Sequence, residues 1–144
     1  MKKVLFVCIH NSARSQIAEA LLNKYGQGEF DSFSAGLEPA PLNPLAVEAL
    51  REEDIDISAN ASDSVFELFQ QGKIYNYVIT VCDEASGQRC PLFPGLSERI
   101  SWSFEDPGTF EGSHEQKLQQ TKAVKDAIKE KVLNFIDEVK KGSV

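Results

Sequence analysis

Short apolar runs and short stretches of alternating polarity recur along this chain. Residues 4–7 and 77–81 are apolar at nearly every position, which is typical of strands buried on both faces. Residues 30–35 and 100–104 alternate between apolar and polar side chains, as in a strand with one exposed face. The pattern therefore predicts four strands, over residues 3–7, 30–35, 77–81 and 100–104.

Between these strands the apolar residues recur every three or four positions, which indicates amphipathic helices. One helix is predicted over residues 15–25, with Gly26 as its stop. Asn43 followed by Pro44 is a cap and first-turn pair that opens a helix to about residue 51. Capping-box patterns at Ser64 and Ser113 predict a short helix to about residue 71 and a long one to about residue 140.

This alternation of strands and helices predicts an α/β fold, in which a parallel sheet is covered by helices on both faces. No repeat, low-complexity tract or linker interrupts the pattern, so we expect a single domain over residues 1–144. Ligands of such sheets bind at the carboxyl ends of the strands. Cys8, Cys82 and Asp106 each lie at or just beyond the end of a predicted strand, so we expect the sheet to bring them together.

The charge balance narrows the possible partners. Lys and Arg number 15 against 22 Asp and Glu, a net charge of −7. An acidic chain without a basic stripe is a poor partner for nucleic acid or an anionic membrane. The first apolar run is too short for a signal peptide or a membrane span. We therefore expect a cytoplasmic protein, and a monomer, with neither a nucleic-acid nor a membrane partner.

Three cysteines are an odd number, which does not indicate a framework of static disulfides. Reduced thiols with a catalytic or redox role fit the count better. A zinc site made of Cys8, Cys82 and Cys90 with one histidine is a weaker alternative, because these residues lack the close pairing of zinc ligands.

Cys8 and Arg14 bracket five residues between the first strand and the first helix. We call the residues that follow Cys8 the oxyanion loop, which consists of Ile9, His10, Asn11, Ser12, Ala13 and Arg14. Backbone N–H groups in such a loop, together with the helix amino end, bind a tetrahedral oxyanion and favour the nucleophilic thiolate of Cys8. Arg14 can hold two oxygens of the anion. Ser15 can donate its hydroxyl to the thiolate, and Asn11 suits a left-handed position.

Displacing an oxygen from such an anion requires a proton for the leaving group. Asp106, at the end of the fourth predicted strand, is the candidate general acid. The competing interpretation is that Asp106 and Pro107 merely begin a turn. The position at the strand end favours catalysis.

Cys82 and Cys90 bracket a short segment in which Gly87 permits a chain reversal. A phosphatase would have no use for these thiols, whereas a reductase would. If Cys8 comes to carry an oxidised adduct, Cys82 can attack it and Cys90 can resolve the product. The alternative is two unconnected cysteines. Both His10, in the loop, and His114, at the start of the last helix, are expected to face solvent.

At this level of detail the whole chain resembles the thioredoxin-coupled arsenate reductases built on the low-molecular-weight protein tyrosine phosphatase fold. The motifs that carry the resemblance are the run from Val7 to Gln16, Ser34-Ala35-Gly36, residues 54–58, Val81-Cys82-Asp83, Cys90-Pro91 and residues 104–107. The resemblance implies a three-layer sandwich with a four-stranded parallel sheet.

The resemblance also implies a thiol relay. Cys8 attacks arsenate while Asp106 assists departure of hydroxide, Cys82 then attacks Cys8 and releases arsenite, and Cys90 attacks Cys82. Thioredoxin reduces the resulting Cys82–Cys90 disulfide, with glutaredoxin and glutathione as the alternative reductant. No tightly bound cofactor is expected. Some family members bind potassium near the loop, where Asn11, Glu19, Ser62 and Asp63 match.

Two other functions remain open on the sequence. One is a phosphatase of the same fold that uses Cys8, Arg14 and Asp106 on phosphate monoesters, and weak phosphatase activity is also compatible with a reductase. Gly108 stands where tyrosine phosphatases of this fold favour an aromatic residue, which counts against that function. The other is a non-catalytic regulator that binds an oxyanion or a metal.

Overall fold

The computed structural model describes residues 1–82 and 98–142. Four parallel strands form one sheet: β1 (Lys2–Cys8), β2 (Phe30–Gly36), β3 (Tyr77–Thr80) and β4 (Glu98–Ser101). Their spatial order is β2-β1-β3-β4. The predicted parallel sheet is therefore confirmed, with β1 at its centre and the carboxyl end of β1 at Cys8.

Within residues 1–82 and 98–142, four α-helices surround the sheet: α1 (Arg14–Tyr25), α2 (Pro44–Leu50), α3 (Val65–Gln70) and α4 (His114–Lys140). Short 3₁₀ turns lie at Arg51–Glu53, directly after α2, and at Pro107–Thr109, before α4. Within the described part of the chain, no helix is long and apolar enough to cross a membrane.

Alternate residues of β1 pack into two separate apolar clusters, because successive side chains of a strand point to opposite faces. Val4 and Phe6 join the cluster that holds α1 and α4. Leu5 and Val7 join the cluster that contains Val65 of α3. The sheet is thus covered on both faces, which confirms the three-layer α/β architecture.

The sequence-predicted caps are only partly correct. Asn43 accepts a hydrogen bond from the Leu45 N–H at 2.9 Å, and Ser113 forms a complete capping box with Gln116. Ser64 precedes α3 as predicted, but its side chain makes no capping hydrogen bond with the first turn of that helix, which the structure describes in full. The capping box predicted at Ser64 is therefore wrong.

The predicted bounds of β4 need correction, whereas the predicted end of α1 at Gly26 is confirmed. β4 covers Glu98–Ser101, whereas residues 100–104 were predicted. Trp102 and Phe104 lie beyond its end with buried side chains, and their N–H groups still donate to the Thr80 and Cys82 carbonyls of the neighbouring chain. Gly26 does end α1, but its φ of −103° is accessible to any residue. A Cβ there would lie 2.7 Å from the Phe30 ring, so close packing and not a left-handed turn requires this glycine.

Buried charges connect α1, α4 and the first 3₁₀ turn. The carboxylate of Glu53 accepts hydrogen bonds from Lys125 at 2.8 Å, from Lys129 at 3.0 Å and from the Tyr25 hydroxyl. Burial alone would raise the pKa of Glu53, but these hydrogen bonds lower its pKa to about 2. Glu53 is therefore ionised in the folded protein at neutral pH.

Replacing Glu53 with Gln is expected to lower the free energy of unfolding by about 2 kcal/mol, because it removes the buried carboxylate that pairs with Lys125 and Lys129. Lys125 keeps its contacts with Glu52 and Asp126, so it retains part of its counter-charge. Since the folded pKa lies below the ordinary value of 4.5, the wild-type contribution is present above pH 4.5 and is lost as the pH falls toward 2. Urea unfolding at pH 7 and at pH 3 measures both effects.

Glu52→Gln is the matched control. The Glu52 side chain is 45% exposed and lies 3.4 Å from Lys125. An exposed pair of this kind contributes less than about 1 kcal/mol. Equal losses for Glu52→Gln and Glu53→Gln would contradict the role assigned to Glu53.

Candidate active site

The oxyanion loop connects the centre of the sheet directly to a helix amino end. Cys8 is the last residue of β1 and Arg14 is the first residue of α1. Both are buried, with 2% of their surface exposed. The loop therefore starts from a rigid strand, and the positive end of α1 points toward it.

Each carbonyl of residues 8–13 accepts a hydrogen bond from a donor outside the oxyanion loop. The donors to residues 8, 9, 10, 12 and 13 are the backbone N–H groups of Leu37, Glu38, Ala40, Asn43 and Ile17. The Asn11 carbonyl accepts from the Gln16 amide and the Ser62 hydroxyl. In a trans peptide the carbonyl and the following N–H point in opposite directions. The N–H groups of residues 9–14 therefore point away from these donors, where an anion can bind them.

Gly36, at the end of β2, lets the chain of residues 37–43 come close enough to bond to the oxyanion-loop carbonyls. A Cβ on Gly36 would lie 2.7 Å from the Ile9 carbonyl oxygen and 2.8 Å from the Asn11 nitrogen. Both atoms belong to the backbone of the oxyanion loop and cannot move aside without reshaping it. Only a residue without a side chain fits there.

Two donors converge on the sulfur of Cys8. The Asn11 N–H donates to Sγ at 3.0 Å, and the Ser15 hydroxyl lies 2.9 Å from Sγ. The Asn11 amide Nδ2 donates to Ser15 Oγ at 2.7 Å. Because Ser15 Oγ accepts from Asn11, its own hydrogen is free to point at the sulfur.

Asn11 has a φ of 52°, in the left-handed region. That conformation costs a non-glycine residue about 1 kcal/mol, and asparagine tolerates it better than most residues. The strained backbone is what directs the Asn11 N–H at Cys8. Its side-chain oxygen accepts from the Asp63 N–H at 2.8 Å, which fixes the orientation of the amide.

Arg14 and Asp106 face each other beside the loop. Arg14 Nη2 lies 3.4 Å from Asp106 Oδ2, and Nη1 donates to the Phe104 carbonyl at 3.2 Å. The other carboxylate oxygen of Asp106 accepts from the Gly108 N–H at 2.9 Å. These contacts set the plane of the guanidinium and hold the Asp106 carboxyl next to the anion-binding loop.

Cys82 lies just past the end of β3, the strand next to β1. The Val81 N–H donates to the Val7 carbonyl at 2.9 Å, so the two chains still run side by side at that point. Cys82 is fully buried, belongs to the same apolar cluster as Cys8, and is disulfide-bonded, whereas Cys8 is a free thiol. Cys90 and Gly87 lie outside the described residues.

The two histidines differ in burial and in hydrogen-bond partner. His10, expected to face solvent, is partly buried and its Nδ1 lies 3.0 Å from the Glu38 carbonyl oxygen, so it packs along the loop. His114 is exposed at the start of α4, as predicted, and its Nε2 lies 2.9 Å from Glu48.

The family model for low molecular weight phosphotyrosine protein phosphatase matches residues 3–144. The chain belongs to that family. An arsenate reductase of Halalkalibacterium halodurans is 39% identical over 137 residues, which cover 94% of this chain and 96% of that protein.

Solved structures agree with this assignment. An arsenate reductase in the phosphate binding state is similar with a TM-score of 0.75 and 31% identity, covering 96% of this chain and 98% of that one. The YwlE arginine phosphatase from Geobacillus stearothermophilus has a TM-score of 0.74 at 17% identity. At that identity the likeness concerns the fold alone.

The region that the family resemblance connects with potassium contains two carboxyl groups. Glu19 accepts a hydrogen bond from the Ser34 hydroxyl at 2.8 Å. Burial raises the pKa of Glu19 to about 7, and the charge of Asp63 adds to the rise against the effect of Ser34. A monovalent cation beside Glu19 and Asp63 would offset the free-energy cost of burying an ionised Glu19 next to another carboxylate. Both oxygens of Asn11 are instead engaged by protein donors.

The sequence analysis assigned Ser62 and Asp63 to a potassium site alone and gave Gln16 no role. Ser62 and Asp63 also bind the oxyanion loop itself, and Gln16 contacts Asn11 from α1. Gln16 is 1% exposed, but it left no signal in the sequence, since it stands among the polar residues of the first turn of α1. The backbone donors of residues 37–43 left none, because any residue except proline supplies an N–H.

Gly36→Ala is expected to weaken phosphate binding at least about tenfold, equivalent to about 1.4 kcal/mol, because the new Cβ displaces the loop backbone. Isothermal titration with inorganic phosphate measures the affinity. Gly28→Ala is the control: its Cβ meets open space, but its φ of +86° makes the substitution strained. That variant should lose stability and keep its phosphate affinity. Unchanged affinity in Gly36→Ala would contradict the packing argument.

Proposed function

We propose that this chain reduces arsenate to arsenite through a thiol–disulfide relay in the order Cys8, Cys82, Cys90. The observation that carries the proposal is the sulfur of Cys8, which receives two hydrogen bonds beneath a loop of inward N–H groups, beside Arg14 and Asp106. Relatives that match nearly the whole chain are named arsenate reductase. Arsenate is a tetrahedral oxyanion of the kind such a loop binds.

The first step forms a bond between sulfur and arsenic. The N–H groups and Arg14 hold the arsenate oxygens, and the Cys8 thiolate attacks the arsenic atom. Asp106 gives a proton to the departing hydroxide, which leaves as water. The contact between Asp106 and Arg14 supports this role, because it holds the carboxyl group next to the bound anion.

The second step reduces the arsenic. The Cys82 thiolate attacks Cys8 sulfur, a disulfide forms, and the sulfur–arsenic bond breaks with its electron pair remaining on arsenic. Arsenic thereby passes from the pentavalent to the trivalent state and leaves as arsenite. Cys90 then attacks Cys82, which releases Cys8 as a thiolate and forms a Cys82–Cys90 disulfide.

Two observations support Cys82 as the second thiol. It follows the strand adjacent to β1, and neighbouring strands lie about 4.8 Å apart. It is also disulfide-bonded while Cys8 is free, the oxidation pattern expected of these two residues once the relay is complete.

The oxidised enzyme requires an external dithiol to regain its thiols. We propose thioredoxin as that partner, with glutaredoxin and glutathione as the alternative. We propose a cytoplasmic location for the enzyme, because the cytosol keeps such reductants in their reduced form. We propose that the enzyme is a monomer.

Cys82→Ser is expected to abolish catalytic arsenite production and to leave slow hydrolysis of p-nitrophenyl phosphate, since Cys8, Arg14 and Asp106 remain. Arsenate-dependent NADPH oxidation with thioredoxin and its reductase measures turnover, run beside glutaredoxin with glutathione. Cys8→Ser is the control and should lose both activities. Arsenate turnover at the wild-type rate in Cys82→Ser would reject the relay.

A phosphatase is the second candidate function, favoured by the family assignment and by the triad of Cys8, Arg14 and Asp106. It differs from the reductase in needing no second thiol. Efficient phosphate-ester hydrolysis with no arsenate-dependent NADPH oxidation in the wild-type enzyme would select it.

We also propose that potassium binds beside Glu19 and Asp63. Bound there, the ion would supply positive charge to a buried carboxyl group whose pKa stands at about 7. Glu19 would hold it through the carboxylate, and Asp63 would add its charge from the adjoining turn.

Potassium chloride is expected to raise the melting temperature relative to choline chloride at pH 8 and not at pH 5.5. The folded pKa of Glu19 lies above its ordinary value of 4.5, so its stabilising contribution is lost as the pH rises through 7, and a cation restores it. Differential scanning calorimetry measures the shift. Glu19→Gln should remove both the pH effect and the ion effect; an equal ion effect in that variant would contradict the site.

A further inference from the structure

Gln16 is a buried polar residue outside the catalytic set. It is the third residue of α1 and lies directly behind the oxyanion loop, with 1% of its surface exposed. A buried amide is costly unless its donors and its acceptor are bonded. The hydrogen-bond partners of Gln16 therefore indicate its role.

Both ends of the Gln16 amide are used. Nε2 donates to the Asn11 carbonyl at 3.2 Å and to the Ala61 carbonyl at 3.0 Å, with the Asn11 Oδ1 at 3.4 Å. Oε1 accepts from the Asn60 amide at 3.1 Å. Because the Asn11 and Ala61 carbonyls can only accept hydrogen bonds, the donating end of the Gln16 amide must face them.

Residues 60–63, which we call the clamp segment, contact Asn11 or Gln16 at every position. Asn60 and Ala61 bind Gln16, whereas Ser62 and Asp63 bind Asn11. The clamp segment is itself fixed to the sheet, since the Asp63 carbonyl accepts from the Gly36 N–H at 2.8 Å. Asn11 is therefore held from behind by groups that do not touch the anion.

Gln16 holds the carbonyl of Asn11, the residue of the loop that has a positive φ. Asn11 is left-handed, and its N–H points at Cys8 Sγ. If the Asn11 backbone relaxed to an ordinary conformation, that N–H would leave the sulfur and the neighbouring peptides would turn. The anion-binding N–H groups depend on the same geometry.

We propose that Gln16 is a positioning residue, which with the clamp segment fixes Asn11 in its left-handed conformation before an oxyanion binds. The loop is then ordered in advance, and binding does not have to supply the cost of ordering it. This inference deepens the proposed function, although it requires only that the loop binds a tetrahedral oxyanion.

Gln16→Leu and Asn60→Ala test the proposal. Gln16→Leu removes both ends of the amide at similar volume, and inorganic phosphate measured by calorimetry should bind about tenfold more weakly, because its binding must now order the loop. In arsenate turnover KM should rise by a similar factor while kcat changes less than about threefold, since the bound anion itself reorders the loop. Asn60→Ala, at the exposed end of the network, should give a smaller loss of the same kind.

The controls separate this role from general stability. Gln119→Leu replaces an exposed glutamine of α4 and should leave phosphate affinity unchanged. If Gln16→Leu fails to fold, Asn60→Ala decides the question. Wild-type phosphate affinity in the folded variants, or a fall in kcat at constant KM, would overturn the positioning role. A wild-type protein that binds phosphate without reducing arsenate would refute the proposed function and leave the Gln16 test intact.

Discussion

The outward hydrogen bonding of the oxyanion-loop carbonyls is the constraint on which the site depends. Peptide groups are rigid planes, so the direction of each carbonyl decides the direction of the next N–H. Residues 37–43 supply four of the donors from their own backbone. The binding surface for an anion is thus produced on the opposite side of the loop from the bonds that create it.

The carbonyls of the oxyanion loop can bond to residues 37–43 because β1 and β2 end side by side. β1 and β2 pair in register up to Cys8 and Gly36, and both chains leave the sheet at the same level. The absent side chain of Gly36 lets the two departing backbones approach closely enough to bond. On the other side of β1, Cys82 leaves β3 one step further along the sheet. Cys8 therefore lies between the chain segment that supports its loop and Cys82.

Much of this could be predicted from the sequence, because local patterns carry it. The two apolar runs identified the central strands, and the spacing of Cys8 and Arg14 identified the loop. The bounds of β4 were predicted wrongly, since alternating burial continues through Trp102 and Phe104 after the strand itself has ended at Ser101. The contacts of Gln16 with the clamp segment were beyond prediction, because they join residues about 45 positions apart through an amide that has no pattern of its own.

The dependence on backbone groups also bears on how such a protein can be altered. Apart from the Arg14 guanidinium, the atoms that would hold the anion are main-chain atoms, including those of Ile9, Ser12 and Ala13. The identity of these three side chains is therefore not tied to the recognition of negative charge. Their side chains can be exchanged to change what surrounds the anion, provided that no proline removes an N–H. Substrate preference and oxyanion affinity are thereby separable properties, and selection or engineering can adjust the first while the second stays fixed.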